Sequence, residues 1–436
     1  MMTTDSGVLT YYLGSKRRMA DAVADAAASL APDGGNALDL FSGMGSASIA
    51  LARRFRVTAV DVQEYARTVC SALLDGSEPT EADTEVFFEH ADEARSTLLE
   101  AYRPLVDLEE RALESDGVEG DEELARIITT GCLLTEWDGR RAAEIQAAAD
   151  MVASRRRLSA SSPFDVIARY YGGTYFSYGQ ALEIDALLHA ARRMPPSYRD
   201  RYMAAIVCAA SQCGSTVGGQ FAQPLKALTK DGRVKKPAVA SARRARRKDV
   251  TEAAAQSLST IAELSDDLLR GTAVRSECND YLGRTEGKID LIYADPPYSR
   301  YHYSRYYHVL ETIARGDAPH ISSNPATGHI SRGIYRDDRY QSPYSTRTGA
   351  APTFRRLFCR VSEKTDNFLL SYSPYPEDRR STPRMMTIES LVDLASDFFR
   401  RVDIIEVDGI KHSKLSKEEH LLAASDISEV LILCSR

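Results

Sequence analysis

The stretch DLIYADPPY, Asp290 to Tyr298, constrains this chain more than any other. Leu291-Ile292-Tyr293-Ala294 is a short branched and aromatic run of the kind buried in the middle of a sheet. It cannot continue, because Pro296 and Pro297 have no N–H to give a ladder and each restricts the residue before it. A buried strand that stops so abruptly predicts an open α/β sheet, with a ligand crevice beyond the carboxyl ends of its strands. The acid of Asp295, the carbonyl of Pro296 and the ring of Tyr298 are then presented together at the rim of that crevice.

Those three groups suit an exocyclic amino group on a nucleobase. The nitrogen lone pair of such a group is delocalised into the ring, and acceptors for its two hydrogens favour a pyramidal, more nucleophilic nitrogen. Asp295 and the Pro296 carbonyl are such acceptors, and Tyr298 offers a face on which a flipped base can stack. The competing reading of the same four residues is an ordinary proline-rich loop.

Earlier in the chain, Tyr11-Tyr12-Leu13-Gly14-Ser15-Lys16 precedes an alanine-rich helix predicted from about Met19 to Leu30. Ala37 to Phe41 reads as a strand, followed by Ser42-Gly43-Met44-Gly45-Ser46 and a short helix. Glycines between strand and helix let a backbone approach a ligand closely, although a lone GxG is equally a tight turn. The next strand, Arg56 to Val60, ends on Asp61, where a carboxylate commonly holds a ribose diol. Gly43, Gly45 and Asp61 together imply a nucleoside-containing cofactor, with dinucleotide and S-adenosylmethionine both open. A third strand, Ala273 to Cys278, leads to Asn279-Asp280-Tyr281: Asp280 would accept from an adenine amino group and Tyr281 lie against its ring, or the pair is plain turn chemistry. Strands at 367–371, 402–407 and 429–434 complete a Rossmann-like, seven-stranded α/β sheet with helices on both faces.

Between the glycine loop and the proline turn lies a large, mainly helical insertion, residues 80–264, leaving 1–79 and 265–436 for the catalytic domain. Its first part, about Asp75 to Glu123, is acidic and reads as a solvated helical face. A net charge of −7 argues at first against a nucleic-acid partner, but distribution matters more than the sum. Lys226, Lys230, Arg233, Lys235, Lys236, Arg243, Arg244, Arg246, Arg247 and Lys248 are opposed within their span only by Asp231. The run predicts a mobile loop that neutralises phosphates, against the blander reading of a solvated loop. Past the proline turn, Arg300, Tyr301, His302, Tyr303 and Arg305 would close the site and hold an opened strand, while Tyr306 onward reads as the start of a buried helix. The stretch 320–353 is predicted as a long loop, and Lys411, His412, Ser413 and Lys414 as a further phosphate contact.

No apolar run approaches the twenty residues of a membrane-spanning helix, and the N-terminus lacks the apolar core of a signal peptide, so the expected location is cytoplasmic, with no membrane contact. The seven cysteines include no CxxC pair, which implies neither a disulfide framework nor a zinc site. No metal is expected.

Taken in order, YLGSK, LDLFSGMGSAS, VTAVDV and DLIYADPPY resemble the S-adenosylmethionine-dependent amino-methyltransferases that modify adenine N6 in DNA, in particular the alpha group that includes the GATC adenine methylases. YFSYGQALEIDAL, the segment Thr216 to Phe221, YSRYYHVLETI and FLLSYS extend the likeness over most of the chain outside the acidic stretch. The resemblance implies that Asp295, Pro296 and Tyr298 are catalytic. It implies that Asp39, Phe41, Gly43 and Gly45 surround the methionine part of the cofactor, Asp61 its ribose, and Asp280 with Tyr281 its adenine. Tyr12, Gly14, Ser15 and Lys16 match a motif near the methionine carboxylate, with Lys16 as its countercharge. Double-stranded DNA is the implied substrate, met by Lys226, Lys235, Lys236, Arg243, Arg244, Arg246, Arg247, Arg300, Tyr301 and Arg305. A restriction-modification or related defence setting, with a separate restriction or defence subunit, follows from the same likeness. Leu40 stands where many relatives have proline. The same chemistry on RNA or on cytosine N4, a silent DNA-binding regulator and a dinucleotide-dependent oxidoreductase are the alternatives.

Overall fold

The computed structural model describes residues 13–115, 117–134, 141–158, 164–373, 384–408 and 427–436. Tyr12 and the stretch Lys411 to Lys414 lie outside the described residues. The chain divides into two compact units, one of Met1–Ser77, Thr260–Ser304 and Tyr340–Arg436, the other of Glu78–Ser259 and Arg305–Arg339.

The first unit is built on the seven-stranded sheet. Its strands are β1 (Asn36–Asp39), β2 (Arg56–Asp61), β3 (Thr272–Arg275), β4 (Leu291–Ala294), β5 (Asn367–Tyr372), β6 (Arg401–Asp408) and β7 (Ile427–Ser435). They lie in the order β3-β2-β1-β4-β5-β7-β6, with β1 to β5 parallel and β7 antiparallel to both its neighbours. All four residues of β4 are buried, as expected of a strand covered on both faces. Phe354, Leu357, Phe358 and Val361 recur at helical spacing on the helix Ala350–Lys364 and form one core with Leu38, Ile292, Phe368 and Ile432. Truncating a ring such as Phe358 there costs about 3–5 kcal/mol.

Two local expectations change. The first helix is Leu13–Leu30, so Gly14, Ser15 and Lys16 are part of it rather than a lead-in. The third strand stops at Arg275, because the Glu277 side chain accepts from the Asp280 N–H at 3.0 Å and starts the helix Cys278–Arg284.

The second unit is mainly helical. Its longest helix, Glu81–Glu114, begins with a capping box between Thr80 and Asp83 and packs on the helix Tyr178–Arg193. The acidic stretch is therefore only partly a solvated face: Phe87, Ala91, Ala94, Leu98, Tyr102 and Leu105 form a buried stripe. A small hairpin, Thr216–Val217 with Gln220–Pro224, turns at Gly218 and Gly219, both at positive φ. Residues 305–339 belong to this unit and not, as the expected boundary has it, to the sheet. Val309, Leu310 and Ile313 bury the helix His308–Arg315 against Pro196–Cys213, and the Tyr171 and Thr312 hydroxyls meet at 3.0 Å. The long loop expected over 320–353 is partly ordered by its own backbone: Ser322 N–H donates to Tyr335 O and Asn324 N–H to His329 O, and the helix Ala350–Lys364 has already begun. Among the described residues no helix is long and apolar enough to cross a membrane.

Candidate active site

Sheet register gathers the predicted acids. Asp39 pairs with Ala59 on one side and Tyr293 on the other. Asp61 and Asp295 each stand two residues further along those parallel strands. All three thus reach the same edge, beyond the carboxyl ends of the strands.

At β1 the loop is shaped by carboxylates. Asp39 is fully buried, accepting from Ser48 Oγ at 2.6 Å and from the Phe41 N–H at 3.4 Å. Burial raises its carboxyl to about 7, against the two hydrogen bonds and with added repulsion from Asp295 and Asp61. Asp39 therefore fixes the loop from beneath. Asp61, half-buried, accepts from the Gly43 N–H at 3.0 Å and the Gln63 N–H at 2.9 Å; burial raises it too. Gly43 and Gly45 take φ of 50° and 85°. A Cβ on Gly45 would stand 3.0 Å from Leu73 Cδ1, whereas one on Gly43 would meet nothing within 4 Å. The first glycine faces open space and the second close packing.

Beyond β3, Asp280 is exposed and Tyr281 half-buried on the first turn of the helix Cys278–Arg284. The residue before them, Asn279, is buried and donates from Nδ2 to the Tyr344 hydroxyl at 3.1 Å. Tyr344 meets Phe41 edge-on, ring centroids 5.4 Å apart. This buried tyrosine joins the glycine loop to the Asp280 helix. Nothing in local sequence marks it, since it lies far along the chain in a stretch expected to be loop.

At the proline turn, Asp295 and Tyr298 are half-buried and Pro296 is buried. The Tyr298 ring is held from a distance in sequence. Arg384 places its guanidinium 4.2 Å from the ring centroid and donates to Ser373 Oγ at 2.8 Å and Ser373 O at 3.3 Å. The Met385 N–H donates to Tyr298 O at 3.1 Å, and Tyr372 meets the ring edge-on at 6.0 Å. Sequence reasoning passed over Arg384, which belongs to no motif. Arg300 and Tyr301, just past the turn, are exposed, with the guanidinium 5.6 Å from the ring.

The basic stretch of the second unit is corrected most. Its second half is not a loop: Lys236–Arg246 is a helix whose Val239, Ala242 and Arg246 face inward. Arg246 is wholly buried, paired with buried Glu109 and donating to Gly173 O and Thr174 O at 2.8 and 3.2 Å. Arg243 donates to Ala112 O, Leu113 O and Asp121, and Arg247 to Leu113 O at 2.9 Å. Arg243 and Arg246 are thus engaged within the protein, at the ends of neighbouring helices, rather than held out on a loop. Lys226, Lys236, Arg244 and Arg247 remain exposed, and Lys235 is half-buried.

Residues 183–359 match the family model of the D12 class N6 adenine-specific DNA methyltransferases. Over that stretch the chain is similar to adenine-specific DNA methyltransferases. The matched stretch contains the Asp280 helix and the whole Asp295 to Tyr298 turn, and the glycine loop precedes it. Over 128 residues the chain is also 34% identical to Modification methylase LlaI of Lactococcus lactis subsp. lactis, a stretch that is 29% of this chain. It spans 17% of the length of that relative.

Proposed function

We propose that this protein transfers a methyl group from S-adenosylmethionine to N6 of a flipped adenine in double-stranded DNA. The observation that carries the reading is the register that brings Asp295 to the strand-end edge shared by Asp39, Asp61 and the glycine loop. The residues there fit the cofactor. Gly43 has room in front of it, and the Asp61 oxygens, which accept from the Gly43 and Gln63 N–H groups, keep lone-pair capacity for a ribose hydroxyl. Asp280 and Tyr281 would hold the adenine, and the loop from Phe41 to Gly45 the methionine part. Gly14, Ser15 and Lys16, with Tyr12, remain assigned to the methionine carboxylate. When bound, S-adenosylmethionine supplies a methyl group already activated by its sulfonium.

The chain's own groups prepare the nucleophile. Asp295 and the Pro296 carbonyl accept the two N6 hydrogens and turn the nitrogen lone pair out of the ring plane. Tyr298 stacks on the base, and Arg384 keeps that ring in place. Positioning supplies most of the acceleration. Flipping costs a few kcal/mol, offset by stacking and by backbone contacts. Exposed Lys226, Lys236, Arg244, Arg300 and Tyr301 are the proposed DNA contacts. A cytoplasmic location goes with that substrate, and the name of the relative favours a modification role beside a restriction or defence partner.

The test is methyl transfer from labelled cofactor into duplex DNA, followed by nucleoside analysis. N6-methyladenine is expected with the wild type. Asp295→Ala should lower transfer at least about a hundredfold while cofactor titration stays near wild type. Cofactor binding without incorporation into any DNA would sink the reading in favour of RNA.

A further inference from the structure

One cluster in the second unit is built as if for an anion. Tyr335 is buried, and its hydroxyl donates to Ala222 O and accepts from Arg305 Nε at 3.0 Å. The His308 ring meets it edge-on at 5.0 Å. Arg305 and Arg339 each hold their guanidinium carbon 4.9 Å from the centroid of that one ring. The backbone beneath is fixed as well. Arg336, 1% exposed, is bonded to Asp317 and Asp338, and its carbonyl accepts from Arg339 Nε at 2.8 Å.

Among the described residues the pair has no counterion. Nearby carboxylates are engaged elsewhere: Asp317 and Asp338 bind both Arg315 and Arg336. Among the described residues neither Arg305 nor Arg339 makes a salt bridge. Burial first, and then the like charge of Arg305, hold Arg339 below the ordinary guanidinium range, with the Tyr335 side chain opposing. Two guanidiniums fixed on a common ring, one exposed and one half-buried, repel each other until an anion joins them. Planar forks of N–H donors match the oxygens of a phosphate. Arg305 also follows directly on the Arg300 to Ser304 run that leaves the proline turn.

We propose that Arg305 and Arg339 grip a phosphodiester of the DNA backbone, with Tyr335 as the platform that fixes both. The assignment rests on the DNA substrate proposed above. It adds Arg339 and Tyr335 to the interface and gives 305–339 a part in substrate binding. A phosphate contact positions the duplex without reading its sequence.

The experiment measures binding of the full-length protein to a labelled mixed-sequence DNA duplex over a range of KCl concentrations. Arg339→Gln and Arg305→Gln are each expected to reduce the slope of log affinity against log salt by about one. In methyl-transfer assays they raise KM for DNA and leave kcat near wild type. Arg339→Lys, which keeps the charge, should keep the slope. An unchanged slope in either Gln variant, with native circular dichroism, overturns the proposal; Arg305 is exposed, so its variant should fold even if the other does not. A slope change seen only on an RNA duplex overturns the assignment to DNA. A slope change on DNA with no methyl transfer by the wild type would sink the methyltransferase reading and leave the phosphate grip standing.

Discussion

Two groups of arginines in the same unit meet the same physical problem and resolve it in opposite ways. Arg243 and Arg246, on the helix Lys236–Arg246, are satisfied within the protein by Asp121, Glu109 and carbonyl oxygens. Arg305 and Arg339, on Tyr335, are held instead by a ring and neutral oxygens. In sequence the first group stands in the denser basic run and looks the better phosphate site. The difference teaches that a cation's partner, more than the local density of charge, decides whether it serves folding or binding. An arginine whose acid is already beside it contributes structure. One fixed without an acid is left to attract an anion from outside.

The strongest way to break this comparison is to remove the buried member. Arg246→Ala leaves Glu109 buried and unpaired and should cost about 3–5 kcal/mol in urea unfolding. A loss under about 1 kcal/mol would mean that the pair does not anchor its helix. Replacing both partners by apolar residues should be much milder than removing one.

The second cluster can be probed by pH through His308, buried against Tyr335 and pushed down to about 3, chiefly by burial. The folded state refuses a proton that the unfolded chain accepts below about pH 6.5. Stability from this group is complete above that pH and is lost as pH falls toward 3, amounting to about 3 kcal/mol by pH 4.5. His308→Gln should flatten that part of the stability profile, measured against wild type from pH 7 to 4.5. A wild-type profile that rises on acidification in that window would contradict a neutral His308.

A third fate, ordering a ring for catalysis, is sharpened by Arg384→Met. Methyl transfer should fall about tenfold, roughly 1.4 kcal/mol of transition-state stabilisation, with a stability change under about 1 kcal/mol. With 2-aminopurine at the target position, its emission on binding should rise above that of the wild-type complex as stacking on Tyr298 loosens. Unchanged emission and rate would reduce Arg384 to a surface contact. The smallest effect is expected of exposed Arg244: Arg244→Ala should alter stability by less than about 0.5 kcal/mol while lowering the salt slope of DNA binding by about one.

Much of the sheet-bearing unit was legible in advance because its signals are local. The run Leu291 to Ala294 can only be a buried strand before a double proline, and Asp61 follows directly on its own strand. The limits of β3 were not legible, since Glu277 caps a helix through a side-chain bond that strand propensity does not register. Arg384 and Tyr344 were missed for another reason. Each lies far along the chain from the motif it supports, and a single arginine or tyrosine has no periodicity to betray it. The fate of Arg246 was hidden because its partner, Glu109, is more than a hundred residues away within an acidic run that looks solvated.

The sequence by itself determined the seven-stranded α/β sheet, the glycine and proline turns and the residue types at their tips. Backbone restrictions and alternation of apolar residues act over a few neighbours, so these features are written where they occur. Only the tertiary structure decided which charges are inside. That depends on which carboxylate packs beside each cation, and on whether the desolvation of both is repaid by their contact. It is a property of pairs distant in the chain, and no stretch of sequence contains it.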